Sequence, residues 1–256
     1  MSKTTVVIPC YNEAKRLNIV DLQTLLEVPD LQITFVNDGS TDDTLKILQN
    51  INQRFLGRVD VVHLAENRGK AEAVRAGLLR GCQMGSEIVG FCDADFATPP
   101  EEIIRLIQIL KMHPERHCLI GARVRLLGLN IHRSFLRHLL GRVFATFASW
   151  VLQLTVYDTQ CGAKFFRNSN LFRRVLQVPF CSRWAFDIEL LGRLHSGTVD
   201  DAALEEQDFL EVSLQTWNEI AGSKVTMKSA LRMGFDLIRI RRHLKKFPKL
   251  QHFERP

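Results

Sequence analysis

EIVGFCDADFATPPEEI, residues 87–103, runs from an apolar segment straight into two carboxylates and then into a proline-led helix start. Glu87–Cys92 reads as an apolar β-strand. Thr98-Pro99-Pro100-Glu101 supplies a capping hydroxyl, proline for the first turn and an acid near the N-terminus, after which Ile103, Leu106, Ile107 and Leu110 share one face. Strand, loop and helix in that order form part of a βαβ unit, and Asp93 and Asp95 occupy the loop at the strand's carboxyl end.

Working outward, Thr4–Ile8, Gln32–Asn37, Val59–Leu64 and Cys118–Ala122 are further β-rich runs bounded by turn residues. Helical period returns between them, as at Leu45, Leu48 and Ile51, and Ser40-Thr41-Asp42-Asp43 fits a capping box. The alternation predicts an α/β fold: a Rossmann-like, mainly parallel sheet with helices on both faces, which binds ligands beyond the carboxyl ends of its strands. The second half is less regular. Arg133–Val156 and Met227–Lys246 read as helices that mix basic and apolar residues, and VYDTQCGAKFFR (156–167) and FLEVSLQTW (209–217) as short strands or loops added at the sheet edge. No linker cuts the chain into independent domains.

The 256 residues are 46% hydrophobic and 24% charged, a globular composition that argues against long disorder. The net charge of +6 hides an asymmetry. Arg116–Arg142 holds six arginines and no acid, residues 224–256 hold ten Lys/Arg against Asp236 and Glu254, and the other 196 residues carry −8. An acidic body with two basic segments points to an anionic partner. Leu, Ile and Phe, with no Tyr or Trp, interleave the tail's cations, which suits a lipid surface better than nucleic acid. The longest uncharged stretch, Val143–Tyr157, falls short of the ~20 residues of a membrane-spanning helix. MSKTTVVIP enters a strand at once, so no signal peptide is expected. The six cysteines form neither a C-x-x-C pair nor a Cys/His metal spacing and are expected to be free and reduced, in a cytosolic compartment. PCYNEAKRL, after the first strand, lacks the glycines of a dinucleotide turn, and neither a P-loop, H-E-x-x-H nor G-x-S-x-G occurs.

What the strand ends hold is acid: Glu13, Asp38, Asp93 and Asp95. Two carboxylates one residue apart can share a divalent cation, and Mg²⁺ or Mn²⁺ prefers one or two carboxylates with phosphate oxygens and water. A lone D-x-D equally fits solvated loop acids. Asp38, in FVNDGSTDD, can accept from a base N–H or a ribose hydroxyl, or cap its own turn. Lys70, in ENRGKAEAVRAG, stands at a helix start where a cation and free N–H groups can face a phosphate, or is an ordinary surface lysine.

VVIPCYNEAKRL, VNDGSTDDT, ENRGKAEAVRAG and DADFATPPEEI, in this order and spacing, resemble the family 2 glycosyltransferases. IGARV, HRSFLRHLLGRVF, YDTQCGAKFFR, RWAFDIELL and WNEIAGSKV extend the resemblance over about residues 4–242 to the subgroup that loads sugar onto polyprenyl phosphates, in pattern most of all the dolichyl-phosphate β-glucosyltransferases. The resemblance implies a GT-A-type fold. It implies a catalytic domain over 1–222, with a nucleotide-sugar half (about 1–123) and an acceptor half (about 124–222), and a basic amphipathic segment over 223–256 at a membrane surface.

Residue by residue, the resemblance implies that Pro9, Tyr11 and Glu13 line the nucleotide pocket, that Asp38 contacts base or ribose, and that Lys70 lies beside the nucleotide. Asp93, Ala94 and Asp95 match the metal-and-diphosphate motif, Asp95 being the more direct ligand of Mg²⁺ or Mn²⁺. Arg123 matches a basic position near the phosphates, Gln160 faces the sugar site, and Asp187 takes the place of the acceptor-side acid. Arg133, with Arg137 one turn on and Lys224, is assigned to the acceptor phosphate. The expected reaction moves a hexose, glucose from UDP-glucose first, to a polyprenyl phosphate with inversion; GDP-mannose as donor and a soluble or polysaccharide acceptor are the alternatives. A phosphate monoester, with a second pKa of about 6, is already ionised near neutrality. Asp187 is then either a base or a group that holds Arg133 or Lys224 in place. A cytoplasmic protein attached peripherally to an anionic membrane surface, with apolar insertion by Phe235, Leu237, Ile238 and Leu244 and no nucleic-acid partner, completes the expectation.

Overall fold

Apolar residues occupy both faces of Thr4–Cys10 (β1) and Leu31–Asp38 (β2), so each strand needs cover on two sides. The computed structural model describes residues 3–124, 130–131, 135–218 and 227–250, with side chains left out at 130–131, 135–140, 227–233 and 248–250. β1 pairs in parallel with β2 on one side and with Ile88–Phe91 (β4) on the other, and Val59–Leu64 (β3) extends the sheet beyond β2.

Past β4 the order departs from the sequence expectation. Lys164–Arg167 (β7) runs antiparallel between β4 and Cys118–Ala122 (β5), and Phe209–Ser213 (β8) closes the far edge in parallel with β5. The full order is β3-β2-β1-β4-β7-β5-β8, so 156–167 supplies an inner strand, and of 209–217 only Phe209–Ser213 lies at the edge of this sheet. The reason is burial on both faces: Lys164, Phe165 and Phe166 are all within 1% of complete burial. Gly90 makes room for them, since a Cβ there would stand 2.1 Å from the Phe165 ring. Asn130–Ile131 (β6) and Thr216–Trp217 (β9) form a separate parallel pair.

Alternation along the strands builds two cores. Val6, Ile8, Ile33, Phe35, Ile88, Leu119 and Phe165 face one layer, made by Ile19–Leu26 (α1), Thr44–Arg54 (α2) and Pro100–Met112 (α4). Val7, Val36, Val89, Phe91, Ile120 and Phe166 face the other. That layer comprises Lys70–Gln83 (α3), Phe135–Leu152 (α5), Asn170–Val175 (α6), Phe186–Ser196 (α7) and Met227–Leu250 (α8). All six cysteines are free thiols, and burial raises the pKa of every one, Cys82 and Cys161 to about 11.

Neither marked helix start is capped as the sequence suggests. Asp43 is the N-cap of α2 and makes no side-chain cap bond. The preceding polar residues reach across to the loop after β1 instead: Ser40 Oγ accepts from Asn12 N–H at 3.0 Å, and Thr41 N–H donates to Asn12 Oδ1 at 2.9 Å. In α4 the N-cap is Pro99, not Thr98, and Pro100 opens the helix.

The C-terminal helix is part of the second core. Leu237, Ile240, Leu244 and Phe247 are buried, so Leu237 and Leu244 pack inward while Phe235 and Ile238 are exposed. No helix among the described residues is long and apolar enough to cross a membrane. α7 carries a fully buried ion pair, Arg193 Nη2 to Glu189 Oε1 at 2.6 Å, with the guanidinium 4.9 Å from the Phe180 ring centroid and 4.7 Å from that of Phe247. Removing one partner strands the other charge, which costs roughly 3–5 kcal/mol. Glu189→Ala is therefore expected to lower the unfolding free energy by about that amount in urea titrations; a change below about 1 kcal/mol would show that Arg193 does not depend on its carboxylate.

Candidate active site

Because β3, β2, β1 and β4 are parallel neighbours, the loops after them open at the same edge of the sheet. They surround a cleft of about 780 Å³ whose walls include Pro9, Tyr11, Glu13, Asp38, Lys70, Asp93, Ala94 and Asp95. Eight of the residues assigned from sequence are thus brought together in one cavity.

Each loop is fixed by its neighbour. Glu13 N–H donates to Thr44 Oγ1 at 2.8 Å, which ties the turn after β1 to the start of α2. Asp38, nearly fully buried at the end of β2, accepts from Arg68 N–H through Oδ1 and from Gly69 N–H through Oδ2, both at 2.8 Å. It lines the cleft and at the same time holds the entry to α3. Gly39, at φ +62°, permits this approach, since a Cβ there would stand 2.4 Å from the Glu66 carbonyl carbon.

Lys70 Nζ then meets Asp93 Oδ1 at 2.5 Å. Burial opposes the Lys70 charge, but Asp93, Asp187 and Asp95 overcome it and hold the ammonium above the usual lysine pKa. The acids have no such surplus of partners. Burial, then the charge of Asp93, push Asp95 above the ordinary carboxylate range. Burial raises Glu13 as well, against the opposing effect of Arg16, which donates to Oε1 at 2.6 Å. Glu13 Oε2 is buried without a hydrogen-bond partner. Asp93 and Asp95 offer hard oxygen donors whose mutual repulsion a divalent cation relieves, so this donor set fits Mg²⁺ or Mn²⁺.

The DTQCG turn supports the acids from beneath. A Cβ at Gly162 would stand 2.1 Å from Asp93 Oδ2, so the turn presses its backbone against that carboxylate. The other assigned residues of this half lie away from the cleft wall. Arg123 grips Asp158 through Nε at 2.7 Å and Nη2 at 2.9 Å. Burial counts against its cation, yet Asp158 more than offsets this and raises its pKa. Gln160 sits beside this pair, its N–H donating to Asp158 Oδ1 at 3.2 Å and its Nε2 buried without a partner. Asp187 is buried and accepts from Lys164 Nζ at 2.7 Å, so its fixed partner is a lysine the sequence reading did not single out. Arg133 and Lys224 lie outside the described residues; Arg137 falls in α5, its side chain likewise outside them.

The sequence reading also missed one wall of the cleft, formed by Cys181–Trp184 and by Asp236 and Arg239 of α8. Arg183 reaches back to the α3 entry, donating to the carbonyls of Arg68 and Asn67 at 3.0 and 3.2 Å, while Ser182 Oγ donates to Asp236 at 3.0 Å. A signal was present: Asp236 and Arg239 recur three apart, each directly before an apolar residue, Leu237 and Ile240, the spacing of a polar stripe beside a buried one.

Residues 5–173 match the family described as Glycosyl transferase family 2. The dolichyl-phosphate beta-glucosyltransferase of Homo sapiens is 34% identical over 254 residues, covering 93% of this chain and 74% of its own length. That of Dictyostelium discoideum is 31% identical over 252 residues, covering 93% of this chain and 73% of its own. Among solved structures, glucosyl-3-phosphoglycerate synthase from Mycobacterium tuberculosis in complex with Mn²⁺, UDP and glucosyl-3-phosphoglycerate superposes with a TM-score of 0.61 at 19% identity. The superposition covers 93% of this chain and 78% of that one and is a likeness of fold.

The Gly162 contact yields a sharp expectation. The neighbouring atom belongs to a partly exposed side chain, so Gly162→Ala displaces the Asp93 carboxylate rather than the backbone. A displacement of about 1 Å at a reacting centre costs on the order of 10²-fold in rate. Turnover is expected to fall by that order while the melting temperature changes little; unchanged turnover would mean that the position of Asp93 is not critical.

Proposed function

The chain belongs to glycosyl transferase family 2 and is a glycosyltransferase, and we propose that it transfers glucose from UDP-glucose to a polyprenyl phosphate of the dolichyl type, with inversion and with help from a divalent cation. The observation that carries the metal and nucleotide parts is the acid-rich end of the cleft. A diphosphate donor cannot approach Asp93 and Asp95 unless their charge is offset, and Lys70 is already engaged by Asp93. Bound at these carboxylates, Mg²⁺ or Mn²⁺ supplies Lewis-acid stabilisation of the departing diphosphate. The acceptor and the sugar are supported by the relatives, named for glucosyl transfer to dolichyl phosphate and aligned over nearly the whole chain.

The chain's own groups divide the remaining work. Lys70 holds Asp93 in place and adds positive charge beside the diphosphate. Glu13, with one oxygen unpartnered, accepts a hydrogen bond from the nucleotide. One phosphate oxygen of the acceptor attacks the anomeric carbon from the face opposite the diphosphate; the bond from that carbon to the diphosphate oxygen breaks and its electron pair leaves with UDP. The acceptor oxygen is already ionised near neutral pH, so no side chain must take a proton. Asp187, joined to Lys164, acts as a positioning carboxylate.

A surface suited to the bilayer lies on α5 and α8. Val143, Phe147 and Trp150 recur on one face of α5 and are each at least half exposed, as are Phe235 and Ile238 on α8. The Arg241 guanidinium stacks 3.8 Å from the Trp150 ring centroid. Exposed apolar groups bordered by cations match an anionic lipid interface, where each basic residue near the surface contributes about 1 kcal/mol.

The test is transfer of label from radioactive UDP-glucose into an organic-extractable lipid with dolichyl phosphate and Mn²⁺. Wild type is expected to label the lipid, chelator to stop it, and Asp95→Asn to lose activity by orders of magnitude while staying folded. Label appearing only in soluble products would overturn the lipid acceptor, and full activity in chelator the metal. Sedimentation with vesicles of 30% anionic lipid is expected to capture the protein at low salt, with weaker capture for Phe147→Ser or Phe235→Ser.

A further inference from the structure

The cleft contains four cations, Arg16, Lys70, Arg183 and Arg239, and they are not equivalent. Arg16 is paired with Glu13 at 2.6 Å and Lys70 with Asp93 at 2.5 Å. Among the described residues Arg183 donates only to uncharged oxygens, the carbonyls of Asn67 and Arg68 and the side-chain amide of Asn67. Arg239 makes no hydrogen bond or ion pair among the described residues, although its charge is close enough to oppose the rise that burial causes in the Cys181 pKa and to add to the fall that burial causes at His243. Asp236, on the same wall, is engaged by the Ser182 hydroxyl and pairs with neither. Two guanidinium groups on one cleft, neither held in an ion pair among the described residues, are the arrangement that binds a phosphate through paired N–H donors.

Their surroundings say which phosphate. The donor's diphosphate belongs with Asp93, Asp95 and Lys70. Arg239 stands on α8 beside Ile238, which is 53% exposed, and one turn from Phe235, which is 73% exposed. Arg183 is followed by Trp184, 67% exposed and also on the cleft wall. A phosphate held here has apolar surface next to it, as suits a phosphate monoester that carries a hydrocarbon chain. We propose that Arg183 and Arg239 together grip the phosphate of the acceptor, with Trp184, Phe235 and Ile238 beside the first part of its chain. This deepens the reading of the same site given above and rests on it.

The pair is mechanically coupled. Ser182 Oγ donates to Asp236 Oδ2, which joins the loop carrying Arg183 to the helical turn carrying Arg239. The buried side of α8, through Leu237 and Ile240, fixes that turn against the core. The backbone turn that carries Arg239 is therefore fixed, while its guanidinium has no bonded partner among the described residues.

The test is steady-state transfer to farnesyl phosphate, short enough to be used without a bilayer, so that membrane binding does not enter the measurement. Losing a charge-assisted phosphate contact costs about tenfold to 100-fold. Arg239→Ala, which removes no hydrogen bond or ion pair among the described residues, is expected to raise the acceptor KM by about that factor and to leave the UDP-glucose KM within about twofold. Arg183→Ala is expected to do the same, and Arg239→Lys to recover only part of the loss. Inorganic phosphate is expected to compete weakly with farnesyl phosphate, and farnesol not at all, which separates a site for a lipid phosphate from one for free phosphate. An unchanged acceptor KM in Arg239→Ala, or a rise confined to the UDP-glucose KM, would overturn the inference and leave the proposed reaction standing. Absence of transfer to any polyprenyl phosphate by wild type would overturn that reaction and the inference with it.

Discussion

Lys164 has no exposed surface, yet it sits in the middle of the sheet on the strand flanked by β4 and β5. Its Nζ donates to Asp187 Oδ1 at 2.7 Å and to the Cys161 carbonyl at 2.5 Å, and lies 5.5 Å from the Phe91 ring centroid. A buried ammonium without such partners costs several kcal/mol, so β7 can enter the sheet only with α7 and the DTQCG turn in their observed places. That requirement reaches the cleft by two routes. The turn is pressed against Asp93 at Gly162, and the charge of Asp187 helps to keep Lys70 protonated.

The first half of the chain was largely legible, and for a physical reason. Its strands carry apolar residues in short continuous runs, and its acids follow those runs directly, so position in sequence translates into position at the sheet's carboxyl edge. Val59–Leu64 and Cys118–Ala122 occur as read, and β1, β2 and β4 differ by one or two residues at their ends. The antiparallel placement of β7 was not legible, because KFFR has the pattern of either an edge or an inner strand, and only the pairing of Lys164 with a residue 23 positions away decides between them. Capping failed for a related reason. Ser40 and Thr41 have the right chemistry for a helix start, but Asn12 competes for them from the neighbouring loop, and Asp42 divides its carboxylate between Thr44 N–H at the start of α2 and Ala14 N–H.

Site residues divide along the same line. Those on strand ends converge, whereas Arg123, read as lying near the phosphates, and Asp187, read as a base or as a group holding Arg133 or Lys224, are engaged by Asp158 and Lys164. A sequence shows that a charge is present but not whether a partner far along the chain neutralises it. Arg183 and Arg239 are the converse case: one opens the RWAFDIELL stretch and the other lies in the basic tail, and they are set apart only when every other cation of the cleft is seen to be paired with a carboxylate.

The three tryptophans of the chain are distributed in a way that bears on how the protein can be observed. Trp150 lies on the outer surface under Arg241, Trp184 stands on the cleft wall, and Trp217 is half-buried with the Arg123 guanidinium 5.4 Å from its ring centroid. Indole emission follows local polarity, so each ring senses a different event. Chains that retain one tryptophan at a time would turn the molecule into three optical reporters, the first sensitive to a lipid interface, the second to occupancy of the cleft, and the third to the short β6–β9 pair. The order in which those emissions change after mixing would then give the sequence of binding steps without any added label.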